Sequence, residues 1–151
     1  MKAAIIYASM HHGNTKKVLN TMQKMKKFDL VKASECKDFD FKDYDIIGFA
    51  SGIYAGDFHR SIRSAVKDIR LEGKKVLLVY TCGMRYRDHA KHMKKIIAKK
   101  GGTVCGEFYC RGFDTFGPFK LIGGIAKKHP SSKDLKQAEV FIKNLPLESV
   151  I

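Results

Sequence analysis

No apolar run in this chain approaches the roughly 18–20 residues that a membrane-spanning helix requires. The first strand-like run starts two residues into the chain and ends at Ser9. It is too short and too badly flanked for a secretory leader, so a cytoplasmic location is expected. Cysteine is sparse, and Cys36, Cys82, Cys105 and Cys110 form neither a C-x-x-C pair nor a zinc spacing. A disulfide frame and a zinc site are therefore not indicated. Internal repeats, low-complexity tracts and linkers are missing, and 151 residues suit a single domain spanning 1–151. Acidic residues are the other shortage. Fifteen Asp and Glu face 29 Lys and Arg, a formal charge of +14. That excess favours an anionic partner, whether nucleic acid, acidic protein or phosphate-bearing ligand.

What is present is a rhythm. Apolar residues make up 44% of the chain, and short apolar runs alternate with helix-period segments. Lys2–Ala8, Asp29–Ala33, Asp45–Ser51, Lys75–Thr81 and Thr103–Cys110 read as strands. Val18, Leu19, Met22 and Met25 define a first helix, and Phe58, Ile62, Ala65, Val66 and Ile69 a second. Ala90, Met93, Ile96 and Ile97 define a third. Ser131 with Asp134 caps a fourth, carrying Leu135, Ala138, Phe141, Ile142 and Leu145 and stopped by Pro146. Alternation of this kind predicts an α/β fold. A parallel sheet then lies between two layers of helices, with right-handed crossovers. One stretch breaks the rhythm. Residues 112–128 combine Gly112, Gly117, Gly123 and Gly124 with Phe113, Phe116, Phe119, Leu121 and Ile122, as a packed loop or a functional cover would.

In an open parallel sheet, ligands sit beyond the carboxyl ends of the strands where the strand order reverses. After the first strand comes Ser9-Met10-His11-His12-Gly13-Asn14-Thr15, leading into a helix. A helix N-terminus offers unpaired N–H groups and partial positive charge, and the hydroxyls and amide here suit a phosphate. The spacing is neither a Walker loop nor a dinucleotide fingerprint. After the third strand, Gly52 and Gly56 bracket Tyr54, which is placed to stack on a planar ring. After the fourth, Thr81-Cys82-Gly83-Met84-Arg85-Tyr86 offers a second wall. The plain alternatives are a helix cap that binds nothing, a tyrosine covering the core and an ordinary turn. A phosphoacceptor receiver domain shares this strand order but needs carboxylates where Ala8, Ser9, Ala50 and Ser51 stand, so it is excluded.

These residues resemble the flavodoxin family. That family's phosphate loop reads roughly [ST]-x-T-G-N-T. Here S-M-H-H-G-N-T matches at Ser9, Gly13, Asn14 and Thr15, with one extra residue and His12 where Thr is usual. The run D-I-I-G-F-A-S-G-I-Y-A-G from Asp45 to Gly56 is similar to the family's third strand and first flavin loop. G-F-D-T-F-G-P-F at Gly112–Phe119 and the later G-G-I-A-K-K-H-P look like a subgroup that shares the H-H-G-N-T loop.

The resemblance implies a flavodoxin-like three-layer α/β/α sandwich with five parallel strands in the order 2-1-3-4-5, noncovalent FMN, and electron transfer between redox partners in one-electron or two-electron steps. Ser9, Gly13, Asn14 and Thr15 would hold the phosphate, with His11 and His12 supplying backbone N–H groups. Ser51, Gly52, Ile53 and Tyr54 would line one side of the ring, and Thr81, Cys82, Gly83, Met84 and Tyr86 the other. Tyr54 and Tyr86 are the candidate stackers, with Met84 an equal rival to Tyr86. The tryptophan that often flanks the ring in this family is absent.

The implied protein chemistry requires no catalytic acid, base or metal, and whether the chain is a dedicated enzyme stays open. Flavodoxins are typically acidic, and this chain is basic. A cation about 10 Å away through wet surroundings is worth roughly 0.4 kcal/mol. A less negative reduction potential than in acidic relatives is expected. The segment Arg85–Lys100 reads as a solvated helix face or as a docking surface for an acidic redox partner. His59, His89 and His92 read as surface helix residues and Cys82 as a small buried filler. Cys105 and Cys110, five positions apart, are expected on opposite faces of their strand. The competing functions are an NAD(P)H-dependent FMN or quinone reductase and a basic nucleic-acid-binding module. The latter lacks a recognisable motif.

Overall fold

The computed structural model describes residues 1–10, 12–115 and 117–150. His11, Phe116 and Ile151 lie outside the described residues. The chain runs β1 (Ala3–Ala8), α1 (Asn14–Gln23), β2 (Asp29–Lys32), a 3-10 turn (Ala33–Asp38), β3 (Ile46–Tyr54), β4 (Asp57–Phe58), α2 (Arg60–Asp68), β5 (Lys75–Cys82), α3 (Lys91–Lys99), β6 (Thr103–Arg111), a second 3-10 turn (Gly117–Ile122) and α4 (Ser132–Lys143). Five strands form a parallel sheet in the order β2-β1-β3-β5-β6. This is the expected order, renumbered because the two-residue β4 pairs antiparallel with the end of β3. Asp45–Ser51 was too short a strand from sequence. Residues 51–54 continue it and turn back through Ala55-Gly56 as a hairpin.

Period-2 alternation divides the core in two. Ile6, Phe49, Leu78 and Tyr80 pack with Ile62 and Val66 of α2 and with Met93 and Ile97 of α3. Ile5, Ile46, Ala50, Leu77 and Val79 pack on the other face with Val18, Leu19 and Met22 of α1 and with Ala138 and Ile142 of α4. Helix α4 begins at the expected place. The Ser131 hydroxyl accepts from Asp134 N–H while the Asp134 carboxylate accepts from Ser131 N–H.

Two cysteines depart from expectation. Val76 pairs with Val104 but Leu77 pairs with Gly106, so Cys105 is the extra residue of a β-bulge. The bulge resets the alternation, and Cys105 and Cys110 both pack on the α1/α4 face. They remain about 16 Å apart along the strand, and all four cysteines are free thiols. No helix among the described residues is long and apolar enough to cross a membrane.

Candidate functional site

Strand order reverses between β1 and β3, and the parallel sheet carries the loops after β1, β3, β5 and β6 to the same edge. At the first of these, Gly13 stands before α1 with φ 65°, a backbone that L side chains rarely adopt. A Cβ built on Gly13 would meet nothing within 4 Å, so the loop keeps an open face at the helix N-terminus. No acidic residue occupies the first turn of α1, which leaves its positive end available to an anion. Ser9 Oγ accepts the Lys16 N–H at 3.1 Å. The buried Thr15 hydroxyl lies 3.0 Å from that of Thr81, joining this loop to the end of β5.

The second loop is the β3–β4 hairpin. Its Gly56 has φ 81°, a backbone that strains any L side chain, and Arg87 Nη2 and Tyr86 Oη crowd the place a Cβ would take. The Gly56 carbonyl accepts from Arg87 Nη2 at 2.9 Å and from His89 Nδ1 at 3.0 Å. These bonds tie the second loop to the third. His89 is 1% exposed, not the surface histidine that the pattern suggested, because it fills the gap between the two loops. His59 caps α2, its Nδ1 accepting from Ser61 N–H, while His92 pairs with Asp57 on the surface. The Tyr54 ring lies against Gly52, whose Cβ position is 3.4 Å from it.

The third loop meets a cover. Residues 112–115 and 117–125 fold back over the strand ends, with Asp114 and Ile125 exchanging two backbone hydrogen bonds. Gly112 N–H donates to Cys82 O at 3.0 Å, and Asn14 Nδ2 donates to Phe113 O at 2.8 Å. The Phe113 ring packs on His12 with centroids 4.1 Å apart. A Cβ on Gly83 would lie 2.6 Å from Asp114 Cβ, so the cover presses directly on the third loop. Arg111 Nε donates to Gly83 O at 2.9 Å and fixes the junction.

One cleft results. Ser9, Asn14, Thr15, Gly52, Ile53, Tyr54, Thr81, Cys82 and Gly83 of the expected set line it, together with Met10, Gly112, Phe113 and Asp114. Gly13 flanks it with its open face, and His12 reaches it through Phe113. Ser51 does not face it. Its hydroxyl is buried, donating to Gly52 O and accepting from His59 N–H. Met84 and Tyr86 are exposed outside it, with Tyr86 edge-on to His89. His11 lies outside the described residues.

Met10, Gly112, Phe113 and Asp114 line the cleft without belonging to the expected site set, the last three from the stretch after the last strand. The only sequence signal for those three was the broken rhythm there. Burial pushes the Cys82 thiol up to about 11 against the opposing pull of Arg85 and Arg111, so it is the inert filler expected rather than a nucleophile. No His, Cys, Asp and Glu cluster suited to a metal exists among the described residues.

A family model described as the flavodoxin domain matches residues 4–113, and the chain belongs to the flavodoxin family. An uncharacterized protein of Methanocaldococcus jannaschii is 37% identical over 147 residues, covering 96% of this chain and 98% of that one. The fold is similar to a flavodoxin from the domain Archaea at TM-score 0.64 and 15% identity, covering 95% and 94% of the two chains. It is also similar to a Fusobacterium nucleatum flavodoxin mutant bound to flavin mononucleotide, at TM-score 0.63 and 18% identity, covering 94% of each. The Trp repressor binding protein of Bacillus subtilis matches at TM-score 0.69 and 13% identity, covering 95% of this chain and 99% of that one. The family match ends at Phe113, just inside the cover.

Proposed function

We propose that this chain binds FMN noncovalently and passes electrons between redox partners. The observation that carries this reading is the convergence of three strand-end loops on one cleft at the open N-terminus of α1. The donor set suits a phosphate ester. Ser9 and Thr15 bring hydroxyls, Asn14 an amide, and the first turn of α1 its N–H groups. Gly52 and Tyr54 would flank one side of the ring, and Thr81, Cys82 and Gly83 the other. When bound, the flavin supplies the electron chemistry, and the chain's part is to position it and set its surroundings.

The cleft beneath Phe113 has room for only about 20 Å³, roughly one water. A ring seated fully within it would require the cover to shift outward. Phe113 then takes the place of the missing tryptophan as an aromatic neighbour.

Calorimetry with FMN and with riboflavin tests the reading. FMN is expected to bind at least tenfold more tightly, because only it carries the phosphate. Equal affinities, or no heat with either, would refute it. NADPH should leave the flavin of the loaded protein unbleached in the absence of a partner. A redox titration is expected to give a less negative potential than acidic flavodoxins show, in keeping with the +14 charge.

A further inference from the structure

The rim of the cleft carries a feature that flavin binding does not use. Met10 after β1, Met84 and Tyr86 after β5, and Leu121 and Ile122 in the cover are large apolar side chains left in water. They come from three separate loops that the parallel sheet brings to one edge. Leu121 is 89% exposed and Ile122 68%, at the outer turn of the cover. Exposed apolar residues gathered at one edge and rimmed by charge mark an interaction surface.

The rim charge has one sign. Residues 111–128 hold Arg111, Lys120, Lys127 and Lys128 against Asp114 alone. Residues 84–91 hold Arg85, Arg87 and Lys91 against Asp88, which Lys94 already neutralises at 3.2 Å. Arg85 is held in place, its guanidinium 4.4 Å over the Tyr109 ring and donating to Tyr80 Oη at 3.2 Å. The rest of the 85–100 segment is elsewhere. Helix α3 runs back from this edge, and Lys100 at its far end donates to Lys67 O beyond the middle of α2.

We propose that this rim docks an acidic protein with an apolar centre, Leu121 and Ile122 forming the contact and the surrounding cations steering the approach. The purpose assigned to it, electron exchange over the cleft, rests on the flavin reading. The docking itself does not. A protein is favoured over an anionic membrane because the exposed apolar residues come from three separate loops instead of one insertable segment. Flexible methionines suit a surface that adapts to a partner.

The test is calorimetry of the full chain, without added flavin, against an acidic plant-type [2Fe–2S] ferredoxin. Vesicles of phosphatidylcholine with phosphatidylserine are the parallel probe. FMN binding is titrated separately on each variant, so a failed flavin reading shows there and not in the docking data. Binding to the ferredoxin is expected at low ionic strength and should weaken at least tenfold as salt is raised. Leu121→Ser with Ile122→Ser should weaken it about tenfold. Lys120→Glu with Lys127→Glu should do so at low salt. Lys95→Glu with Lys99→Glu, an equal change of charge on α3, should alter it less than twofold. Absent ferredoxin binding at low salt, equal sensitivity to the α3 pair, or preference for the vesicles would each overturn the proposal.

Discussion

The first three loops of the site and the cover after β6 face the same cleft but are held by different forces. The loops are the ends of β1, β3 and β5, and those strands bury Ile6, Phe49, Leu78 and Tyr80 without solvent contact. Their positions follow from sheet pairing and core packing, and side-chain bonds such as Thr15 to Thr81 and His89 to Gly56 lock one loop to the next. The cover buries little of itself. Its outer turn has no buried residue, and the contacts that hold it include backbone bonds at Gly112, Phe113, Asp114 and Ile125, an amide from Asn14, and His12 meeting both the Phe113 ring and the Thr115 hydroxyl. Apolar burial of a whole side chain is worth about 1.5–3 kcal/mol, whereas a single partly wet hydrogen bond nets about 1 kcal/mol. The site therefore pairs a floor set by the apolar core with a cover held mainly by polar contacts.

The contrast is sharpest in a pair of truncations. Phe49→Ala removes a fully buried ring beneath the floor and should cost about 3–5 kcal/mol in urea unfolding. Phe113→Ala should cost under about 1 kcal/mol, since its contacts are on the surface of the fold, yet speed FMN release. If the two cost the same, the cover is part of the core and the distinction fails.

Thr15→Val comes next in size. It keeps the shape but leaves the Thr81 hydroxyl without its buried partner, an expected loss of about 1–3 kcal/mol. FMN affinity should fall with it, because the same hydroxyl is assigned to the phosphate. An unchanged affinity would move the phosphate away from Thr15.

Gly83→Ala addresses the cover alone. The new methyl would meet Asp114 Cβ at 2.6 Å and Ile125 Cδ1 at 2.7 Å, so the cover must shift outward. Stability should fall by about 1–3 kcal/mol from the overpacking, while amide exchange at residues 113–115 and 117–125 and FMN association should both accelerate. Slower association would mean that the cover guides the ring instead of obstructing it.

The same division governs what the sequence discloses. The strands and their order were legible because fully covered strands are apolar throughout, as Lys75–Thr81 is. The phosphate loop was legible because Gly13-Asn14-Thr15 is a local pattern at a strand-to-helix junction. The cover was visible only as an interruption, since its fold depends on contacts across the chain. Asn14 reaches Phe113 over 99 positions, and nothing local predicts that. His89 misled for a related reason. A histidine beside Arg87 and Asp88 reads as surface, but the Gly56 carbonyl that buries it comes from 33 positions away. The Cys105 bulge was hidden too, because one inserted residue leaves no mark on composition and reverses every later side chain.

The smallest expected effect concerns acid. His59 sits at the N-cap of α2 beside the Tyr54 ring, its Nδ1 accepting from Ser61 N–H. Burial, then Arg60 and Arg63, hold its imidazole below the usual histidine range. The unfolded chain therefore takes up this proton before the folded one does. The stability that this group contributes is complete above about pH 6.5, the ordinary histidine value, and declines as pH falls from there through the lower folded value. The decline should not exceed an N-cap's usual contribution of about 1 kcal/mol. His59→Asn keeps a capping oxygen without a titrating group, so urea midpoints of that variant should lose this part of the slope between pH 7 and 5. A slope as steep as that of the parent chain would place the acid sensitivity elsewhere. The other candidate is Asp134. Burial works to raise its carboxyl, but hydrogen bonds from His129 and from the Ser131 N–H and hydroxyl outweigh it and hold the group low, so its own contribution is lost only at more acid pH.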